Sequence, residues 1–140
     1  MSAVTVIGLG NMGAALARAL LENGFTVTVW NRSPEKAASL VEKGARLALN
    51  APAAISASPI ILMCVTHYAA ARSILDEVAV NLSGRLLVQL TTGSPQEARK
   101  CEAWAHEHDA GYLDCAITGS PSSIGTPNAH ILACGNEAAF

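Results

Sequence analysis

Residues 4–13 read Val-Thr-Val-Ile-Gly-Leu-Gly-Asn-Met-Gly, a run that leads from a strand pattern into a glycine-rich turn. The four residues before Gly8 are all β-branched, a composition typical of a short strand. Beyond the turn, Met12, Leu16 and Leu20 recur at helical spacing and predict an amphipathic helix. The pattern G-x-G-x-x-G therefore lies between a strand and a helix, which is the context that a dinucleotide-binding turn requires.

The three glycines of this turn have different roles in the pattern. Gly8 permits the tight turn, Gly10 lets the backbone approach a pyrophosphate, and Gly13 lets the helix pack closely on the strand. Free backbone N–H groups and the helix dipole favour an anion at the helix N-terminus. The alternative is a glycine-rich turn without a ligand. We predict that a dinucleotide diphosphate is bound here by Gly8, Leu9, Gly10, Asn11, Met12 and Gly13.

The end of the second predicted strand indicates which dinucleotide binds. NAD-binding proteins carry an Asp or Glu about 20 residues beyond the glycines, where it binds the ribose 2′-OH. This chain instead has Asn31, which carries no charge to repel a 2′-phosphate, followed by Arg32. A guanidinium suits phosphate, Ser33 adds a donor, and Lys36 adds positive charge one turn on. We therefore predict NADP(H) as the cofactor; the alternative is that Arg32 and Lys36 are solvated surface charges.

Further cofactor contacts are expected at other strand ends, because ligands of open α/β sheets lie beyond the carboxyl ends of the strands. Cys64, Val65 and Thr66 end one predicted strand and are expected near the adenosine and its linking ribose. Thr91 and Thr92 follow the next strand and are expected nearer the nicotinamide. For each of these hydroxyl groups, a plain turn or capping role is the alternative.

The rest of the chain alternates strand and helix patterns. Residues 60–65 are almost all apolar, which predicts a strand buried on both faces. Ser33 is expected to cap a helix that runs to about Gly44, and a capping box joins Ser94 to Glu97 at the start of another. Predicted strands cover residues 4–7, 25–30, 45–49, 60–65, 85–90, 112–117 and 130–134. The predicted fold class is therefore α/β: a Rossmann-type doubly wound, mostly parallel sheet with helices on both faces.

Composition limits the classes of protein to which the chain can belong. With 140 residues, a formal net charge of −2, 51% hydrophobic and 14% charged residues, it fits one folded domain and excludes a disordered chain. The near-neutral charge argues against a nucleic-acid partner. The four cysteines have neither metal-site nor disulfide-framework spacing, so no metal is predicted. Finding no targeting segment and no stretch long enough to span a bilayer, we expect a cytoplasmic protein and no membrane partner.

Several longer stretches resemble one enzyme family. The turn, together with Val-Trp-Asn-Arg-Ser at residues 29–33, resembles the N-terminal domain of β-hydroxyacid dehydrogenases and related 6-phosphogluconate dehydrogenase-like enzymes. Three further stretches resemble the NADPH-dependent imine reductase branch, and residues 68–72 also suit it. They are Leu-Val-Gln-Leu-Thr-Thr-Gly-Ser-Pro at 87–95, Tyr-Leu-Asp-Cys-Ala-Ile at 112–117 and Pro-Ser-Ser-Ile-Gly-Thr-Pro-Asn-Ala at 121–129. The resemblance covers essentially all 140 residues.

The resemblance implies a two-domain subunit in which residues 1–140 form the NADP-binding Rossmann domain. A helical C-terminal domain, absent from this chain, would build a homodimer with active sites shared between subunits. The family's proton donor lies past the Rossmann domain, so no catalytic residue is carried over to this chain. Residues 136–140 also look like the start of a helix that stops before it gains a packing partner. We expect the chain to be the N-terminal piece of a longer protein.

The resemblance implies hydride transfer from NADPH to an imine, with the protein supplying binding and electrostatics. One alternative is an NADP-dependent β-hydroxyacid dehydrogenase acting on a 3-hydroxy or keto acid. Residues 117–121, Ile-Thr-Gly-Ser-Pro, depart from the Ser-Gly-Gly of that group's substrate loop. A second alternative is a cofactor-binding module without turnover, and we expect the 140-residue piece alone to be inactive.

Overall fold

The computed structural model, which describes residues 2–140, is built on a seven-stranded sheet. Its order is β3-β2-β1-β4-β5-β6-β7; the first six strands are parallel and β7 is antiparallel to β6. The strands are β1 (Ala3–Ile7), β2 (Thr26–Trp30), β3 (Arg46–Leu47), β4 (Ile60–Met63), β5 (Leu86–Gln89), β6 (Gly111–Thr118) and β7 (His130–Gly135). This order confirms the predicted Rossmann-type, mostly parallel sheet.

Helices follow the strands, as the alternating pattern predicted. They are α1 (Asn11–Glu22), α2 (Ala38–Glu42), α3 (Ala51–Ser56), α4 (Tyr68–Val78) and α5 (Pro95–Glu107). The predicted capping box is present, with Ser94 accepting from the Glu97 amide while the Glu97 side chain accepts from the Ser94 amide. Within residues 2–140, no helix combines the length and apolar character that crossing a membrane would need.

Strand order reverses at β1, and this position sets the location of the site. The chain runs outward from β1 to β2 and β3, then returns to β4 on the other side of β1. Ile7 at the end of β1 is level with Trp30 of β2 and Met63 of β4. The turns that follow these three strands therefore leave the sheet side by side, at the switch point where ligands of doubly wound sheets bind.

Alternating side chains of the strands supply two cores, one on each face of the sheet. On one face, Ile7, Ile61 and Met63 pack with α3, α4 and α5. On the other, Val6 and Val29 pack with α1 and α2. Each of these strand residues is fully buried, so the sheet is covered on both sides around β1.

The prediction that residues 60–65 form a strand buried on both faces is wrong in part. The strand ends at Met63, and only Ile61 and Met63 are fully buried, whereas Ile60 and Leu62 are half-buried. Leu62 belongs to a smaller cluster on the α1 face, which includes half-buried Met12 and Val88. Both faces of such a strand carry apolar side chains, so a fully buried face and a half-covered face produce the same apolar run in the sequence.

The predicted Ser33 cap is also wrong. Residues Pro34–Ala37 form a 3-10 turn that leads into α2, and the Ser33 side chain makes no capping hydrogen bond. The backbone serves instead, because the Ser33 carbonyl accepts from the amide of Lys36, 3.2 Å away. Pro34 does occupy the first position of the turn, where its missing N–H costs nothing.

Candidate cofactor-binding site

A cleft of about 370 Å³ opens at the carboxyl ends of β1, β2 and β4, and we call it the glycine-turn cleft. Most residues predicted from the sequence to bind a dinucleotide lie on its walls. Those residues are Gly8, Leu9, Gly10, Asn11, Met12, Asn31, Arg32, Lys36, Cys64, Val65 and Thr66. The fold therefore brings together three separate stretches of chain, each at the end of a different strand.

The glycines of the turn are required by packing at two positions and leave open space at the third. Gly8 has φ +94°, and a Cβ there would collide with the Cys64 carbonyl oxygen. A Cβ at Gly13 would collide with the Gly8 carbonyl oxygen. A Cβ at Gly10 would have no neighbour within 4 Å, so Gly10 faces the opening of the cleft. The absence of a side chain at Gly10 leaves room for a ligand to approach the backbone.

The N-terminus of α1 is left free to bind an anion. Gly10 is the N-cap residue, no side chain caps the helix, and its first turn carries no acidic residue. Backbone N–H groups at a helix start have no partner within the helix, and the helix dipole places partial positive charge there. A phosphate oxygen would satisfy these groups in the space that Gly10 keeps open.

Asn31 ties the glycine turn to the end of β2. Its Oδ1 accepts from the Leu9 amide at 2.9 Å, and its Nδ2 donates to the Ser33 carbonyl at 3.1 Å. Both ends of the side-chain amide are therefore engaged within the protein. Asn31 holds the turn and the following residues in place, and it keeps a carboxylate out of this wall of the cleft.

Positive charge lines the outer part of the cleft. Arg32 and Lys36 are exposed residues on its wall, and the Arg32 guanidinium donates from Nη2 to Ser73 Oγ at 3.0 Å. The only ion pair within residues 2–140 joins Arg72 to Asp76, so neither Arg32 nor Lys36 forms a salt bridge there. Two cations without a salt bridge, beside an open helix N-terminus, favour a ligand with more than one phosphate.

The end of β4 contributes a neutral wall. Cys64 is half-buried, and this burial raises the pKa of its thiol, which keeps it uncharged at neutral pH. The Val65 amide donates to Thr91 Oγ1 at 3.2 Å. Thr91 is therefore a buried residue whose hydroxyl links the ends of β4 and β5.

Thr91 and Thr92 lie in a neighbouring cleft of about 340 Å³, which we call the Tyr68 cleft. There Tyr68 donates its hydroxyl to Asp114 Oδ1 at 2.9 Å. Gly93 makes room for this contact, since a Cβ at Gly93 would meet the Tyr68 ring. Burial, above all, and the bond to Asp114 raise the pKa of the Tyr68 phenol, so it stays protonated and donates.

Two predicted residues, Gly13 and Ser33, line neither cleft. Gly13 packs beneath the turn, and Ser33 follows Arg32 with its hydroxyl unused by the adjacent 3-10 turn. The sequence reading missed Trp30, Ala70 and Ile74, which also line the glycine-turn cleft. The spacing of Ala70 and Ile74, one helical turn apart on α4, is the signal that could have indicated a shared face.

The relatives found by comparison with known proteins agree with one another. The family model described as the NAD binding domain of 6-phosphogluconate dehydrogenase matches residues 3–140. An NADPH-dependent reductive aminase of Aspergillus oryzae is 36% identical over 134 residues, which are 96% of this chain and 45% of that protein.

Solved structures agree with these relatives. An imine reductase from Myxococcus stipitatus in complex with NADP+ superimposes with a TM-score of 0.96 at 45% identity, covering 99% of this chain and 48% of that one. A reductive aminase from Aspergillus terreus in complex with NADPH4, cyclohexanone and allyl amine gives a TM-score of 0.93 at 41% identity, covering 99% and 50%. The chain thus spans about half the length of the relatives that it matches.

Proposed function

The chain belongs to the family of the NAD binding domain of 6-phosphogluconate dehydrogenase, and we propose that it is the NADP(H)-binding domain of an imine-reducing oxidoreductase. One observation carries the choice of cofactor: an uncapped α1 N-terminus and the unpaired charges of Arg32 and Lys36 line the same cleft. The diphosphate and the 2′-phosphate of NADP(H) match these two groups of donors.

Most of the predicted contacts have a place in this arrangement. The diphosphate would lie at the α1 N-terminus over Gly10, and the 2′-phosphate between Arg32 and Lys36. The adenosine would lie along Cys64, Val65 and Thr66, opposite Ala70 and Ile74 of α4. The nicotinamide would extend past Thr91 towards Thr92 and the Tyr68 cleft.

Within the reaction, the residues of this chain bind and orient the cofactor. When bound, the nicotinamide supplies a hydride to an electrophilic carbon. Asn31 links the glycine turn to the end of β2, and Thr91 links the ends of β4 and β5. Cys64 and Val65 provide a neutral wall, so charge is confined to the phosphate end of the cleft.

The relatives support a proposal for the substrate class of the whole protein. They are an imine reductase and reductive aminases, and each is about twice as long as this chain. We propose that an imine is reduced with the help of a second, helical domain that supplies the proton donor and forms a homodimer. Four free cysteines suit a reducing compartment, so we place the protein in the cytoplasm.

Cofactor binding tests this proposal. We expect the 140-residue chain to bind NADPH at least about tenfold more tightly than NADH by titration calorimetry, because charge-assisted bonds to phosphate are strong. Arg32→Ala should remove most of that preference. Lys43→Ala, which removes an exposed charge outside the cleft, is the matched control and should leave both affinities unchanged. Equal affinities for NADPH and NADH in the parent chain would contradict the proposal.

The substrate class needs a separate assay. A protein that carries this chain at the length of its relatives should oxidise NADPH with a cyclic imine. It should not reduce NADP+ with a 3-hydroxy acid. The reverse pattern would favour a β-hydroxyacid dehydrogenase and leave the cofactor assignment intact.

A further inference from the structure

Ser73 is next in sequence to Ile74, which lines the glycine-turn cleft, and lies on a different element from the proposed phosphate-binding residues. It is an exposed residue of α4, between Ala70 and Ile74, which both line the cleft. Its hydroxyl oxygen is 3.0 Å from Nη2 of Arg32, a residue 41 positions earlier in the chain. Within residues 2–140, this is the only side-chain hydrogen bond that Arg32 makes.

The geometry of Arg32 explains why such a contact matters. Its backbone is held by Asn31, which bonds both to the glycine turn and to the Ser33 carbonyl. The side chain beyond Cβ is long and flexible, and an unheld guanidinium would lose rotamer freedom when it bound a phosphate. The hydrogen bond that Arg32 donates to Ser73 restricts that freedom before the ligand arrives, which is how preorganisation strengthens binding.

The hydrogen-bond capacity of the pair favours a phosphate over a hydroxyl group. Arg32 has five N–H donors and uses one on Ser73, so the others remain free. Ser73 accepts from Arg32 and keeps its own O–H to donate. A phosphate can accept hydrogen bonds from both side chains. A ribose 2′-OH is uncharged and gains little from a guanidinium, which is a cation that can only donate.

We infer that Ser73 is a specificity-determining positioning residue, which holds the Arg32 guanidinium over the adenosine end of the cleft so that it meets the 2′-phosphate. The inference rests on the proposed NADP(H)-binding function. It assigns part of the cofactor choice to α4, away from the loop after β2 that carries Asn31, Arg32 and Ser33. The contribution of Ser73 then depends on Arg32 and on the 2′-phosphate.

Small adenosine phosphates isolate this effect in the 140-residue chain. Affinities for 2′,5′-ADP and 5′-AMP, and for NADPH and NADH, would be measured in the parent chain and in Ser73→Ala. We expect Ser73→Ala to weaken 2′,5′-ADP and NADPH about three- to tenfold, since one hydrogen bond to a charged group is lost. Its affinities for 5′-AMP and NADH should stay within twofold of the parent, about the smallest change that titrations resolve.

Two further variants separate positioning from general packing. Ser73→Thr retains a hydroxyl and should restore the parent preference. The double variant Arg32→Ala/Ser73→Ala should bind NADPH no more weakly than Arg32→Ala alone, because Ser73 acts through Arg32. Ser122→Ala, which removes an exposed hydroxyl bonded only to Ser120, is the matched control and should behave as the parent chain.

The outcomes distinguish this inference from the proposed function. If Arg32→Ala lost the NADPH preference while Ser73→Ala kept it, or bound NADPH more tightly, the role of Ser73 would be refuted and the cofactor assignment would stand. Equal weakening of NADPH and NADH by Ser73→Ala would also refute it, as a general packing effect. If the parent chain did not distinguish NADPH from NADH, the proposed function would fail, and this inference with it.

Discussion

The glycine-turn cleft and the Tyr68 cleft lie side by side at one edge of the sheet, but they differ in whether their polar groups are already paired within the protein. In the glycine-turn cleft, as far as residues 2–140 show, the α1 N-terminus is uncapped and Arg32 and Lys36 have no carboxylate partner. In the Tyr68 cleft, Tyr68 and Asp114 bond to each other, and Ser94 and Glu97 form a capping box. The first cleft offers donors to a ligand, whereas the second has largely satisfied its own.

This difference indicates how binding and reaction are divided. Unmatched donors that face an open cleft favour an anionic ligand without help from another domain. A cleft whose side chains bond to one another keeps its shape but offers few groups to a substrate. We therefore expect residues 2–140 to bind NADP(H) without a further domain. We expect the Tyr68 cleft to take part in the reaction only when a further domain faces it.

The largest effect is expected from a methyl group placed beneath the glycine turn. Gly13→Ala would put a Cβ against the Gly8 carbonyl oxygen, and α1 would have to move away from β1. Overpacking of this kind costs about 1–3 kcal/mol, and backbone strain adds about as much again. We expect the free energy of unfolding, measured by urea titration, to fall by at least about 2 kcal/mol. A fall of less than half that size would mean that helix and strand do not meet so closely.

A methyl group at the neighbouring open position should act on binding alone. Gly10 has φ −66°, and within residues 2–140 a Cβ there would have no neighbour within 4 Å, so Gly10→Ala should fold with a stability close to that of the parent chain. The methyl group would occupy the space through which a diphosphate approaches the backbone. We expect NADPH affinity to fall about tenfold by calorimetry, from lost contacts worth about 1.4 kcal/mol. Undiminished affinity would place the diphosphate elsewhere.

In the Tyr68 cleft, a variant should change stability and leave cofactor binding alone. Tyr68→Phe removes the donor to Asp114, a long-range bond that joins α4 to β6. We expect a loss of about 1 kcal/mol in the free energy of unfolding at neutral pH, the usual net value of one hydrogen bond. NADPH affinity should stay within about twofold of the parent, a change near 0.4 kcal/mol. A large loss of affinity would show that the two clefts are coupled.

The same variant sharpens the comparison at high pH, with an expected effect of similar size. The pKa of Tyr68 is raised above its ordinary value of 10.0, so folding stabilises the protonated phenol. That stability is fully present below pH 10 and is lost above it, because the unfolded chain ionises first. Between pH 10 and 11, the parent chain should lose about 1 kcal/mol more than Tyr68→Phe. Parallel pH profiles would contradict burial of this hydroxyl.

The local features of the glycine-turn cleft could be predicted from the sequence. Gly8, Gly10 and Gly13 follow a β-branched run, and their spacing fixed the turn, the helix that follows and the position of the cleft. The ends of β1 and β2 were also predictable, since their runs stop at Ile7 and Trp30, whereas the apolar run at 60–65 continues two residues beyond the end of β4. These signals lie within a few residues of one another, so periodicity and composition suffice to read them.

Contacts between distant residues could not be predicted in this way. Arg32 meets Ser73, 41 residues away, and Tyr68 meets Asp114, 46 residues away. The pattern of α4 indicates which of its faces packs on the sheet, but not which side chain of another strand end it reaches. The cap predicted at Ser33 was wrong because a tight 3-10 turn and an α-helix begin with the same Ser-Pro signal.

Backbone amide NMR of the 140-residue chain titrated with NADP+ tests the central claim most directly, since it reports on both clefts at once. The account predicts the largest shifts at the amides of Gly10, Asn11 and Met12, together with a shift of the Arg32 side-chain Nε–H resonance. The amides of Gly93, Ser94 and Glu97 should move less, because only the nicotinamide end of the cofactor approaches the Tyr68 cleft. Large shifts confined to that second group, with the amides of residues 10–12 unmoved, would contradict the account.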